Sequence, residues 1–245
     1  VVTAFRHRCV RSLLPHQAER LQEIGFNMFD QVAQPALGVM STVSTESFDR
    51  TCIELCCSPA SGISSRTDYT TGCRRIRFTQ RHDLTTVEGV ALAKKAIDIA
   101  QLAHRGHLLL WLAIPCTGGC PWHRINSLFP SARLKIEQSK ALFTNLWENC
   151  SKLVDYALKA GGAMIAIEWP QQCSYWTVPA VTTFLERHGL KKYFFHGCMY
   201  GVKSENPNTL DVPMKKSWSI ASNTPHLGLQ LNKCCDTVLY THLRA

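Results

Sequence analysis

The chain has 245 residues and a mass of 27.5 kDa, with 45% apolar and 18% charged residues. That composition supplies the core of one ordinary domain and excludes wholesale disorder, while 14 Gly and 11 Pro without a fixed period exclude collagen-like or low-complexity sequence. Twenty-seven Lys and Arg against 18 Asp and Glu leave a net charge of +9 and a pI near 9.0, which favours polyanionic partners, nucleic acid first among them.

Twelve cysteines in a chain of this length do not read as the framework of a small disulfide-stapled scaffold. Cys52, Cys56 and Cys198 stand inside apolar runs, where a thiol behaves as a small hydrophobe. The expected setting is an intracellular, reducing compartment, with nucleus and cytoplasm both open. The longest apolar run, 108–115, is of strand length and falls short of the ~18 residues of a membrane span, so no membrane partner is expected. The chain opens Val1-Val2 with no signal peptide, which reads as a segment cut from a longer polypeptide, and other segments of that polypeptide are expected partners.

Residues 1–45 read as an N-terminal arm with a short helix over 15–24, begun by a proline and closed by Gly25. From 46 to 223 strand and helix periods alternate. TCIELCC (51–57) is a strand that breaks into a loop at Ser58-Pro59-Ala60-Ser61-Gly62, and CRRIRFT (73–79) is a second strand. Thr85-Thr86-Val87-Glu88 is a capping box that opens a helix to about 104, with Val87, Val90, Ala91, Ile97 and Leu102 at helical spacing. HLLLWLAIP (107–115) is apolar on both faces, as a buried strand of a parallel sheet is. A long amphipathic helix follows over 131–160, then a buried strand over 163–169, a helix over 178–188 and a strand over 192–198. Residues 224–245 read as a C-terminal tail. Strand and helix in alternation, joined by short glycine-marked turns, predict an α/β fold: a doubly wound, mostly parallel sheet with helices on both faces.

Ligands of open parallel sheets bind outside the carboxyl ends of the strands, so each strand's last residues are candidates. The first strand leaves a carboxylate, Glu54, before small residues at every second position, Cys56, Ser58, Ala60 and Gly62; a tight turn would need the same small residues. No Gly-Lys-Ser/Thr follows, so this is not a phosphate loop. Asp83 sits just before the capped helix, where an acidic residue serves either a ligand amine or the helix itself.

The central strand runs out into Pro115-Cys116-Thr117-Gly118-Gly119-Cys120-Pro121-Trp122-His123. Cys116 at a strand tip beside a flexible loop is placed as a nucleophile. Two other readings stay open: a zinc site at Cys116, Cys120 and His123, for which Cys234-Cys235 offers no matching second pair, and a plain buried thiol. Glu168 ends a strand of apolar residues, where a carboxylate is costly unless it is paired or used; a raised pKa there would let it donate a proton near neutral pH. Trp169, Tyr175 and Trp176 offer faces for stacking on a base, with core packing as the equal alternative, and Lys215 and Lys216 precede an alternating strand suited to phosphate contact.

Taken in order, Glu54-x-Cys56-x-Ser58-x-Ala60, Asp83-Leu84, Pro115-Cys116 and Glu168-Trp169-Pro170 resemble the motifs of S-adenosylmethionine-dependent DNA cytosine-5 methyltransferases, in the divergent form found in mobile-element and polyprotein contexts. The resemblance spans about residues 48–223. It implies a Rossmann-like methyltransferase fold and S-adenosylmethionine held by Glu54, Cys56, Ser58, Ala60, Gly62, Asp83 and Pro115. It further implies Cys116 as the nucleophile on C6 of a flipped cytosine, Glu168 at N3, and nucleic acid, DNA before RNA, touched by Trp122, Trp169, Tyr175, Lys215 and Lys216. The chain departs from the family pattern in the first loop, which lacks Phe-x-Gly-x-Gly, in Trp-Pro after Glu168 where the family has Asn-Val, and in the absence of a long target-recognition insert. A catalytically inactive methyltransferase-like module that binds nucleic acid or scaffolds a larger polypeptide is the alternative.

Overall fold

Runs of apolar side chains too short for helices become the strands of a central sheet. The computed structural model describes residues 49–59, 61, 73–204, 206–235 and 243–244, and the expected arm over 1–45 lies outside them. Among these residues the strands are β1 (Arg50–Leu55), β2 (Cys73–Phe78), β3 (Leu108–Leu112), β4 (Met164–Pro170), β5 (Lys191–His196), β6 (Met214–Lys215), β7 (Ser217–Ser222) and β8 (Leu243–Arg244). β6 and β8 pair with each other; the rest form one sheet in the order β2-β1-β3-β4-β7-β5. β1 to β4 run parallel, and β7 lies antiparallel between β4 and β5. The helices are α1 (Val87–Ala103), the single turn α2 (His123–Asn126), α3 (Pro130–Ala160), α4 (Pro179–Arg187) and α5 (Pro225–Leu231). This is an α/β architecture with a mixed, mostly parallel sheet flanked by helices, compatible with a Rossmann-like fold.

The two faces are covered unequally. From β2 onward each parallel connection moves the same way across the sheet: β2 to β3 past β1, β3 to β4, and β4 to β5 past β7. Right-handed crossovers in one direction put their helices on one face. Accordingly α1, α3 and α4 share a core with Ile53, Leu55, Leu110, Ile167 and Trp169. The other face packs Trp111, Ala166, Trp218, Ile220 and Phe195 against Leu227 and Leu231 of α5. Gly228 sits so close to β5 that a Cβ there would fall 2.0 Å from the Tyr193 ring. The segment expected as a tail from 224 thus contributes a helix to the domain.

The α1 expectation also changes in detail. Its cap is Thr86, which accepts from the Gly89 amide at 3.1 Å, and Val87 and Leu102 face solvent at 81% and 88% exposure. The buried stripe keeps the expected Ile97, with Val90 half-buried beside it, and otherwise consists of Gly89, Ala93, Ala96, Ala100 and Gln101.

Candidate functional site

The winding direction of the sheet reverses at one place. β1 leads outward to β2, and the chain then returns past β1 to β3, so β1 and β3 are neighbours whose continuations diverge. In open α/β sheets that switch point is where a crevice forms outside the carboxyl ends of the strands. One further backbone bond, from the Ala113 amide to the Leu55 carbonyl at 2.9 Å, extends the pairing before the two loops part.

The loop after β1 is pinned from several sides. Cys56 takes a positive φ of 60°, unusual for a residue with a side chain, and turns the chain out of the strand. The Cys57 amide then bonds the Phe78 carbonyl at 3.0 Å, the Ser61 amide bonds the Ser58 carbonyl at 3.0 Å, and Arg77 at the end of β2 donates to the Pro59 carbonyl. Beneath the loop lies Glu54, buried on the face opposite α3, with its Oε2 accepting from the Ser61 hydroxyl. Ala60 and Gly62, expected in the same loop, lie outside the described residues.

Asp83 follows β2 by five residues and closes a 3-10 turn with a φ of 21°. Its Oδ1 accepts from the Thr85 hydroxyl at 2.6 Å and the Thr85 amide at 3.1 Å, and these bonds hold the exposed carboxyl below its usual range. Both bonds fall on Oδ1, and Oδ2 is the oxygen a ligand amine would reach. Pro115 is exposed at the tip of the β3 loop. Glu54, Ser58, Asp83 and Pro115 therefore share the carboxyl edge of the sheet, around the switch point.

Glu168 ends β4 on the same face as Glu54. Its Oε2 accepts from the Trp111 indole N–H at 3.2 Å, and Trp111 is paired in register with Glu54 across β1 and β3. The two buried carboxylates thus flank one tryptophan, and Arg75, buried on β2, lies on that face as well. Trp111, Ser61 and Arg77 were not singled out by sequence reasoning. For Trp111 a signal existed: it is an indole, with a donor to satisfy, in a run that otherwise holds only aliphatic residues.

Cys116 and the Glu168 carboxylate are set in different surroundings. Cys116 is buried in the core on the α3 side, with Cys173, Tyr175 and Trp169, while the Glu168 carboxylate occupies the other face. Burial, then the neighbouring Cys116 and Cys120, push the Cys173 thiol up to about 12. The Gly118-Gly119 turn lets the Cys116 loop press on this cluster: a Cβ on Gly118 would fall 2.1 Å from the Tyr175 hydroxyl, and one on Gly119 2.6 Å from the Cys173 sulfur.

The expected base-stacking residues Trp169, Tyr175 and Trp176 are core residues instead. Trp169 is fully buried, donating from its indole to the Ile114 carbonyl at 2.9 Å, and Tyr175 stacks on Phe143 with ring centroids 3.5 Å apart. Both are aromatic because they fill the gap between α3 and the sheet edge. Trp122, in contrast, is 57% exposed. Lys215 and Lys216 are half-buried at the carboxyl edge, brought there by the antiparallel run of β7, and the Lys216 ammonium lies 5.7 Å from the Trp218 ring centroid. Cys116, Cys120 and His123 do not form a metal centre: among the described residues no group of three His, Cys, Asp or Glu is arranged to hold a metal ion. Among them, too, no helix is long and apolar enough to cross a membrane. In comparisons with known proteins, no family model, no curated protein and no solved structure matches the chain.

Proposed function

We propose that the domain binds S-adenosylmethionine at the β1–β3 switch point and serves methyl transfer to nucleic acid, DNA before RNA. What supports this reading is that Glu54, the pinned loop after β1, Asp83 and Pro115 all stand at or just past the carboxyl ends of the adjacent strands β2, β1 and β3, where open α/β sheets bind ligands. The donor set fits an adenosyl amino acid. Glu54 suits its ribose hydroxyls or its amino group, and Asp83 Oδ2 its exocyclic amine. When bound, S-adenosylmethionine supplies an electrophilic methyl group. The chain's own residues orient it, and Lys215, Lys216 and the net charge of +9 favour a polyanionic acceptor.

Transfer to cytosine C5 is the finer form of the proposal: the Cys116 sulfur would add to C6 across the C5–C6 double bond while Glu168 engages N3, and after C5 is methylated loss of the C5 proton to water would break the sulfur–C6 bond and restore the ring. This form requires the 115–120 loop to lift Cys116 away from Cys173 and Tyr175 towards the Glu168 side. The buried place of Cys116 favours a second reading, a methyltransferase-like module that keeps the ligand crevice and binds nucleic acid without the covalent step.

Titration calorimetry with S-adenosylmethionine tests the main reading. The parent chain should bind, and Asp83→Ala should weaken binding roughly tenfold, as loss of one hydrogen bond to a charged group does. No binding by the folded parent refutes the reading. An oligonucleotide carrying 5-fluorocytosine then separates the two forms. A covalent adduct that disappears in Cys116→Ser establishes the nucleophile, and S-adenosylmethionine binding without an adduct leaves the non-covalent module.

A further inference from the structure

We propose that residues 122–135 form a docking surface for single-stranded nucleic acid, in which Trp122 and Phe129 stack on bases and Arg133 and Lys135 meet phosphates. The choice of nucleic acid as partner rests on the function proposed above; the place and the contacts rest on the fold.

Six tryptophans are present, and five of them, Trp111, Trp147, Trp169, Trp176 and Trp218, are buried. Trp122 stands out in solvent, and seven residues on, Phe129 is 61% exposed. Ile125 and Leu128 between them are more than half exposed as well, so this stretch presents an apolar surface that the core does not claim. Its charge is one-sided. From 99 to 136 the sequence has no Asp or Glu, and Arg133 and Lys135 are exposed. The Arg133 guanidinium is held in place by donating to the Ser127 carbonyl at 3.2 and 3.3 Å.

The fold puts this surface at the carboxyl edge of the sheet. α3 leaves the carboxyl end of β3 and must return to the start of β4. Its 31 residues span about 46 Å, whereas the seven residues of β4 span about 23 Å. The first buried residue of α3 is Ile136, and the next is Phe143. The start of the helix and the turn before it therefore project past the sheet at its carboxyl edge. Flat aromatic faces followed by cations, with the next carboxylate along the helix, Glu137, paired with Lys140 at 2.9 Å, match a flexible polyanion with exposed bases. A second copy of the chain fits poorly, because a self-facing patch would set Arg133 and Lys135 against their own like charges.

Fluorescence anisotropy of the full chain with labelled single-stranded 12-mers, without S-adenosylmethionine, tests the proposal. Trp122→Ala and Phe129→Ala should each weaken binding roughly 5- to 100-fold, with far-UV circular dichroism unchanged. Replacing both Arg133 and Lys135 with Glu should lower the slope of log K against log salt by about 1.4. Oligonucleotide should quench the emission of the exposed tryptophan, and Trp122→Phe should keep most of the affinity while losing the quench. Unchanged affinity in folded Trp122→Ala and Phe129→Ala overturns the proposal. So does a dimer seen by sedimentation that these variants abolish while oligonucleotide binding persists, or Trp122-dependent binding to phosphatidylserine vesicles with oligonucleotide affinity unaffected. Because the titration omits S-adenosylmethionine, failure of the calorimetric test leaves this result readable.

Discussion

A carboxylate inside a sheet must be matched by donors, and Glu168 shows how one residue is kept. Trp111 points its N–H at Oε2 from the neighbouring strand, so the indole both fills the layer between two buried acids and supplies a hydrogen bond. Trp111→Phe retains most of the volume and deletes the donor. Hydrogen bonds to charged groups contribute about 1.5–3 kcal/mol, and a buried acceptor left short of a donor adds to the loss. Urea denaturation should show Trp111→Phe less stable by about 2 kcal/mol. In the Glu168→Gln background, where an amide replaces the carboxyl that the indole serves, the same change should cost clearly less. Equal costs in the two backgrounds would mean that Trp111 acts by packing alone. The sequence marks Glu168 as an oddity within an apolar strand, but it does not name the donor, because cross-strand partners depend on register, which the linear pattern leaves open.

At the scale of elements, apolar runs and glycine stops locate β1, β2, β3, β4, β5 and the three long helices to within about three residues, since length and period suffice there. The face of α1 is a different matter. Val87 and Leu102 have helical spacing yet lie in solvent, because this helix packs closely through small residues that carry little hydrophobic signal. Gly89 is the clearest case. An alanine Cβ there would fall 2.2 Å from the His82 carbonyl oxygen and 2.3 Å from that of Asp83, both backbone atoms that cannot turn aside. Helix propensity alone makes Gly→Ala stabilising by up to about 1 kcal/mol. Here the sign should reverse, with Gly89→Ala lowering the thermal midpoint and disturbing the Asp83 turn; a raised midpoint would show that the turn yields at little cost. The same element responds to acid. His82 is held below its usual range by burial, and its Nδ1 accepts from the Thr79 amide at 3.0 Å, which a protonated ring cannot do. A depressed folded pKa gives stability that is present above the unfolded value near 6.5 and is lost as pH falls through the folded one. The denaturation midpoint should decline below pH 6.5, and less so in His82→Gln.

For the whole molecule, the convergence of Glu54, Asp83 and Pro115 on one edge was legible because parallel strands all end on the same side. The burial of Cys116 beside Cys173 and Tyr175 was not, since it depends on which way the loop turns from its strand. The assembly places thiols throughout both cores, and the described cysteines are all free of disulfides. Burial pushes Cys73 and Cys198 up to about 11 and Cys173 up to about 12, and it raises Cys52 and Cys57 as well; Cys150 is raised by its contact with the Cys56 sulfur, 3.8 Å away. In the unfolded chain these thiols titrate near 9.0. The folded state therefore keeps protons that the unfolded state gives up, so the stabilisation is complete below about pH 9 and is lost as pH rises towards 11 or 12. Urea midpoints under reducing conditions should stay level between pH 7.5 and 8.5 as far as thiols govern them, then fall steeply through pH 10 (approximate limits set by the same linkage). A variant with Cys73→Ala and Cys173→Ala, less stable at neutral pH through lost packing, should show a shallower alkaline fall, because two of the titrating groups are gone. Alkylation at pH 8 read by mass spectrometry should reach exposed Cys234 and half-buried Cys120 first and the buried Cys73 and Cys173 last. A parallel alkaline fall in parent and variant, or early labelling of Cys173, would mean that these thiols are not held protonated by the fold.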